Sequence, residues 1–192
     1  MPWFMPGDNI MSATMPIDRL LIHRPALAVY AGECRVYPYG FVFSVTVVRR
    51  WPDEAPRIPA APLNPFGMLG PLHETGHEKS QQVLSFGVRF PNGRSSVAQG
   101  HVTFPSSEPP TAPVIRAHHG EGSDDEWSQA FYVWGLPSEG SVSVFYSWGL
   151  EKVPESRFEI DGDDLRAAAA RAVVLWEDGP DEGNGDSVTA RR

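Results

Sequence analysis

VLSFGVRFPNGRSSVAQGHVTF, residues 83–104, is the stretch on which the fold turns. Leu84, Phe86, Val88 and Phe90 alternate with Ser85, Gly87 and Arg89, the period-two pattern of a strand with one buried face. Asn92-Gly93 follows directly, and this pair tolerates the positive φ angles of a tight hairpin turn. The spacing therefore predicts a β-hairpin whose second strand is SSVAQGHVTF, weakened at Gly100.

The same pattern recurs on both sides. In GFVFSVTVVRR, residues 40–50, Phe41, Phe43, Val45 and Val47 fall on one face and Val42, Ser44, Thr46 and Val48 on the other. WSQAFYVWGL and SVSVFYSWGL, joined by PSEG at 137–140, read as a second hairpin with Tyr132 opposite Val144 and Trp134 opposite Val142. Both faces of this hairpin are apolar near Trp134, which predicts a central place in a sheet or a cover on its outer side. DRLLIHR, ALAVYAG, ECRVYPYG, APVIRAHH and SRFEID add five shorter strands. One helix is predicted over 162–176, with Asp161 as N-cap and Asp163 and Asp164 in the first turn, where the helix dipole favours anions. Leu165, Ala168, Ala169, Ala172, Val173 and Trp176 form its apolar stripe, with Trp176 as the large anchor and Gly179 as the stop.

Many short strands and one terminal helix give a mainly β fold: an antiparallel β-sandwich or half-open barrel with one C-terminal α-helix packed on it. At 192 residues the chain makes one domain, expected over 14–176. Residues 1–13 and the acidic tail 177–192 are expected to be disordered, the tail because it is too polar to bury.

Composition narrows the function classes. Proline (19) and glycine (18) make up about a fifth of the chain, as suits a turn-rich β protein. The net charge is −8; the last sixteen residues carry −3 of it, leaving −5 for the other 176. A mildly acidic body attracts neither nucleic acid nor an anionic membrane. No basic region precedes an apolar run at the N-terminus and no segment has the length of a membrane span, so the expectation is a cytoplasmic protein. Cys34 has no second cysteine to pair with and reads as a small buried apolar residue.

Two segments resemble chemistry. HETGH, 73–77, spells the H-E-x-x-H pattern in which two histidines one helical turn apart bind zinc and the glutamate acts as base. A helix there would carry Gly76 in its interior, at a cost of about 1 kcal/mol, and would have no apolar stripe to bury. No third ligand follows at the usual spacing, so HETGH reads as a surface loop. HHGEGSDDEW, 118–127, gathers two histidines and four acids, but not in the spacing of a calcium-binding loop. A metal-dependent zinc hydrolase using His73, Glu74 and His77, joined by His118 and His119, stands as the alternative function. No phosphate-binding glycine loop, dinucleotide fingerprint or serine-hydrolase elbow is present, and no cofactor is implied.

The remaining signal is aromatic. Trp127, Phe131, Tyr132, Trp134, Tyr146 and Trp148 crowd the second predicted hairpin. Such residues either fill a core or form an exposed binding patch. SFGVRFPNGR, WSQAFYVWGLP and LRAAAARAVVLW together resemble a group of uncharacterised actinobacterial proteins of about 190 residues. The resemblance spans residues 15–176, and it implies no activity. The expectation is thus a non-catalytic binding or assembly protein that acts on a protein partner or as a homo-oligomer through those six aromatics. A carbohydrate- or small-ligand-binding sandwich is the further alternative.

Overall fold

The computed structural model describes residues 3, 5–51, 64–66, 83–98 and 109–176. The chain folds as two antiparallel sheets packed face to face, with a small third sheet beside them. The larger sheet has the order β2 (Ala13–Arg24), β3 (Leu27–Tyr37), β4 (Gly40–Arg49), β8 (Glu126–Trp134), β7 (Val114–Gly122). The smaller has the order β10 (Val153–Ile160), β9 (Val142–Trp148), β5 (Leu84–Arg89), β6 (Ser95–Val97). β1 (Ile10–Met11) and β11 (Val173–Val174) form a separate two-stranded ribbon.

The alternation read from sequence sets the inner faces. Leu84, Phe86, Val88 and Phe90 are all 5% exposed or less. Phe41, Phe43, Val45 and Val47 of the central strand β4 face them, and none exceeds 2% exposure. Phe43 and Phe131 of the larger sheet stack at 5.4 Å, and Phe131 lies 5.0 Å from Phe86 of the smaller. Phe86 in turn stacks on Tyr146 at 5.9 Å. Tyr146 buries its ring and spends its hydroxyl on the Leu21 carbonyl, 3.0 Å away, as a buried phenol must.

The β5–β6 hairpin forms as expected, with Gly93 at φ 82° and Asn92 Oδ1 accepting from the Arg94 amide at 3.0 Å. Of the second strand, Ser95–Val97 is paired, and residues 99–108 lie outside the described ones. ALAVYAG and ECRVYPYG are not two strands but one, β3, continued through a bulge between Ala31 and Cys34.

The second predicted hairpin is corrected. β8 and β9 lie in different sheets: Tyr132 pairs with Val42 and Arg116, while Val144 pairs with Val88 and Phe158. Residues 135–141 carry the chain from one sheet to the other. Gly135 sits at φ 94° and donates its amide to the Tyr39 carbonyl, which turns the backbone out of the first sheet. The apolar character on both faces of β8 follows from this placement. Phe131 and Val133 point into the sandwich, and Ala130, Tyr132 and Trp134 join an outer cluster with Tyr37, Val42, Tyr39 and Ile10.

That outer cluster explains a second departure. The first thirteen residues, expected to carry no fold, include Trp3 at 5% exposure and strand β1. Arg116 lies over the Trp3 ring at 5.6 Å, and the Gly7 amide donates to Tyr39 Oη at 3.2 Å. An apolar outer face gains stability when a neighbouring segment covers it.

The helix is the third. α1 spans Gly162–Ala169, capped by Asp161, whose carboxylate accepts from the amides of Asp163 (2.7 Å) and Asp164 (3.2 Å). Leu165 and Ala168 are fully buried, but the helix ends well before 176. Val173-Val174 instead pairs with β1, in keeping with the strand preference of β-branched residues, and Trp176 is 62% exposed rather than an anchor. Gly179 and the rest of the tail lie outside the described residues.

Cys34 is fully buried, and desolvation, with Glu33 adding to it, pushes its thiol up to about 12. The native protein is expected not to react with a thiol reagent such as DTNB at neutral pH, and to release one thiol equivalent once unfolded in guanidinium; full reaction in the native state would refute this burial. Phe43→Ala removes the ring shared by both sheets and is expected to lower unfolding free energy by about 3–5 kcal/mol, read from urea denaturation.

Candidate functional site

The six aromatics expected as one binding patch do not share one face. Phe131, Tyr132, Tyr146 and Trp148 are buried, and Trp127 and Trp134 half-buried. They divide between sheets and faces: Trp127, Phe131, Tyr146 and Trp148 belong to the sandwich core, and Tyr132 and Trp134 to the outer cluster. Trp148 also carries the Arg49 guanidinium over its ring at 5.3 Å, and Arg49 pairs with Glu151 at 2.8 Å. All six pack against one of these two clusters.

His73, Glu74 and His77 lie outside the described residues. His118 and His119 are exposed on β7, and among the described residues no group of three His, Cys, Asp or Glu is placed to hold a metal. The acidic run is a hairpin: the Ser123 amide donates to the Glu126 carbonyl at 2.7 Å, closing the turn between β7 and β8.

What the fold does assemble is a polar groove of about 390 Å³ on the outer face of the larger sheet. Its geometry comes from two β-bulges at the same level. One lies in β3 between Ala31 and Cys34, the other in β7 between Ala117 and Gly120. Between them, Ser44 of β4 pairs with Ala130 of β8, two small side chains that leave the middle of the sheet low. Each bulge adds a residue, bends its strand and re-aims its side chains, so the flanks rise as Glu33 on one side and His119 on the other.

The next row completes the floor. Thr46 pairs with Ser128, and their hydroxyl oxygens lie 3.3 Å apart. Beyond Ser128 stands Glu121, and beyond Thr46 stands Tyr30, 39% exposed. Arg35 closes the other end. Its Nε is buried without a hydrogen bond, 4.0 Å from Glu33 Oε1. The β7 bulge is held from beneath by Gln129, 4% exposed, whose Nε2 donates to the carbonyls of His119 and Ala130, each at 2.9 Å. A buried amide so satisfied holds the flank in place.

Of the groove residues only His119 was singled out from the sequence, and there as a metal-ligand candidate beside His118 rather than as part of a groove. The available signal was Ser44 and Thr46 inside an otherwise apolar strand, with Ser128 in a partner strand. A second surface was also missed. Met11, Val173, Val174, Leu175 and Trp176 are 45–62% exposed, all on or beside the β1–β11 ribbon. Asn9 ties that ribbon together, accepting from the Leu175 amide at 2.8 Å and donating from Nδ2 to the Trp176 carbonyl at 3.0 Å.

His118 sits at the groove flank with its pKa lowered, first by partial desolvation, then by the nearby charges of Arg35 and His119, against the opposing pull of Asp8. A histidine whose folded pKa is depressed supports the fold above its unfolded value near 6.5, and that support is lost as pH falls through the folded value. Urea midpoints measured between about pH 7 and 5 are expected to fall less steeply in His118→Gln than in the parent chain; an unchanged slope would remove His118 as a contributor.

No family model matches this chain, and no curated protein or solved structure matches it either.

Proposed function

We propose that the chain is a non-catalytic binding or assembly protein that acts through protein–protein contacts, with a second copy of itself as the partner. The observation that carries this reading is the run of consecutive exposed apolar side chains, Val173, Val174, Leu175 and Trp176, on a ribbon with Met11. Adjacent residues of a strand point to opposite sides, and although Ile10 of β1 packs on the outer cluster, Val173 and Val174 of β11 are both exposed. Among the described residues β11 pairs with β1 and no other strand, leaving a backbone edge free for strand addition.

The sequence around β11 suits its own copy. Val173, Val174, Leu175 and Trp176 follow one another without an intervening charge. Antiparallel pairing of the segment about Val174 sets Val173 of one copy across from Leu175 of the other, a self-matched apolar contact.

Light scattering coupled to size exclusion is expected to show a dimer at micromolar concentration, and Val174→Glu to yield a monomer that keeps the parent's β-sheet circular dichroism but melts at a lower temperature, since a partner that binds only the folded chain stabilises it. A parent chain that stays monomeric at every concentration tested overturns the self-pairing. A dimer untouched by Val174→Glu places the interface elsewhere and overturns the assignment of the ribbon.

A further inference from the structure

We propose that the groove between the two bulges is a binding site for a neutral polyhydroxylated ligand, a single pyranose unit of a saccharide. This rests on the groove alone and is independent of the apolar ribbon. Its volume, about 390 Å³, falls at the small end of ligand-binding cavities.

The lining selects the chemistry. Glu33 and Glu121 present carboxylates on opposite flanks, Arg35 a guanidinium at one end, and Ser44, Thr46 and Ser128 hydroxyls on the floor. Two carboxylates against one guanidinium leave the groove net negative, which repels phosphate, sulfate and carboxylate ligands. The groove contributes almost no apolar wall beyond Ala130, so a hydrophobic ligand gains little. Each sugar hydroxyl both donates and accepts. A carboxylate takes hydrogen bonds from two neighbouring hydroxyls, and a guanidinium donates to their oxygens. The Arg35 side chain is 42% exposed although its Nε is buried, so the donors it presents to the groove are those at the guanidinium's outer end. Tyr30, paired with Thr46 at the far end, adds an exposed ring on the same face, against which the C–H side of a pyranose packs.

The bulges make the site stiff. Gln129 fixes the His119 flank through two hydrogen bonds, and the floor belongs to two central strands, so little ordering entropy is lost on binding. The flanking acids are exposed, with the Glu33 side chain at 59%, so replacing them tests recognition without disturbing the core.

The experiment is an amide ¹H–¹⁵N NMR titration of the full chain with glucose, galactose, mannose and N-acetylglucosamine, and in parallel with galacturonate and inorganic phosphate. At least one neutral sugar is expected to give saturable, millimolar shifts centred on Gly32, Glu33, Ser44, His119, Ser128 and Ala130. Glu33→Gln with Glu121→Gln is expected to weaken that binding at least tenfold at an unchanged melting temperature. Ser44→Leu, which fills the floor, is expected to abolish it; should that variant misfold, the Glu pair still decides. Absence of saturable shifts with every neutral sugar overturns the proposal, as do shifts centred elsewhere. Tighter binding of galacturonate or phosphate, or undiminished binding by the Glu33→Gln/Glu121→Gln chain, overturns it equally.

Discussion

Contact between the Phe43–Phe131 stack and Phe86 with Tyr146 is the constraint from which the remaining architecture follows. The first two rings belong to the larger sheet and the last two to the smaller, so their packing sets the distance and register of the sandwich. With β4 and β8 committed inward through Phe43 and Phe131, period two sends Val42, Ser44, Ala130 and Tyr132 to the opposite face. The outer surface of the larger sheet is therefore not chosen independently of the core. It is whatever the alternate positions supply.

Those alternate positions divide into two halves with different fates. Toward one end they are large and apolar, and the N-terminal segment lies over them through Ile10, with Trp3 held beside them under Arg116. Toward the other they are Ser44, Thr46, Ala130 and Ser128, small or hydroxylated, where no apolar cover is needed. Bulges in β3 and β7 then raise charged flanks around this low centre. Two bulges at one level bend β3 and β7 and re-aim their side chains, which gives this half of the face its curvature.

The strict alternation of residues 83–90 and 40–48 made the sandwich legible, because period two and inward burial are the same statement. Asn92-Gly93 fixed its hairpin for an equally local reason. PSEG misled because a turn-forming tetrapeptide between two apolar strands looks alike whether the strands share a sheet or face one another across the core. The partners of β8 are β4 and β7, and those of β9 are β5 and β10, so only long-range pairing separates the cases. The helix boundary failed likewise. Ala172, Val173 and Trp176 keep helical spacing, but pairing to Ile10 and Met11, over 160 residues away, takes Val173-Val174 as a strand. The groove was illegible for a third reason. Its parts come from β3, β4, β7 and β8, and its shape from bulges that no short motif encodes.

The exposed apolar ribbon is tied to the same logic. Covering the aromatic outer face requires the N-terminal segment to lie across the sheet, and that segment is held at its far end by β11. Two residues of strand pairing are a weak hold for so long a lever. Lengthening or doubling the ribbon by strand addition from a second copy would bury Val173 to Trp176 and tighten the segment over Tyr37, Tyr132 and Trp134 at once. Association through β11 would thus stabilise the cover on one half of the sheet face while leaving the polar half open.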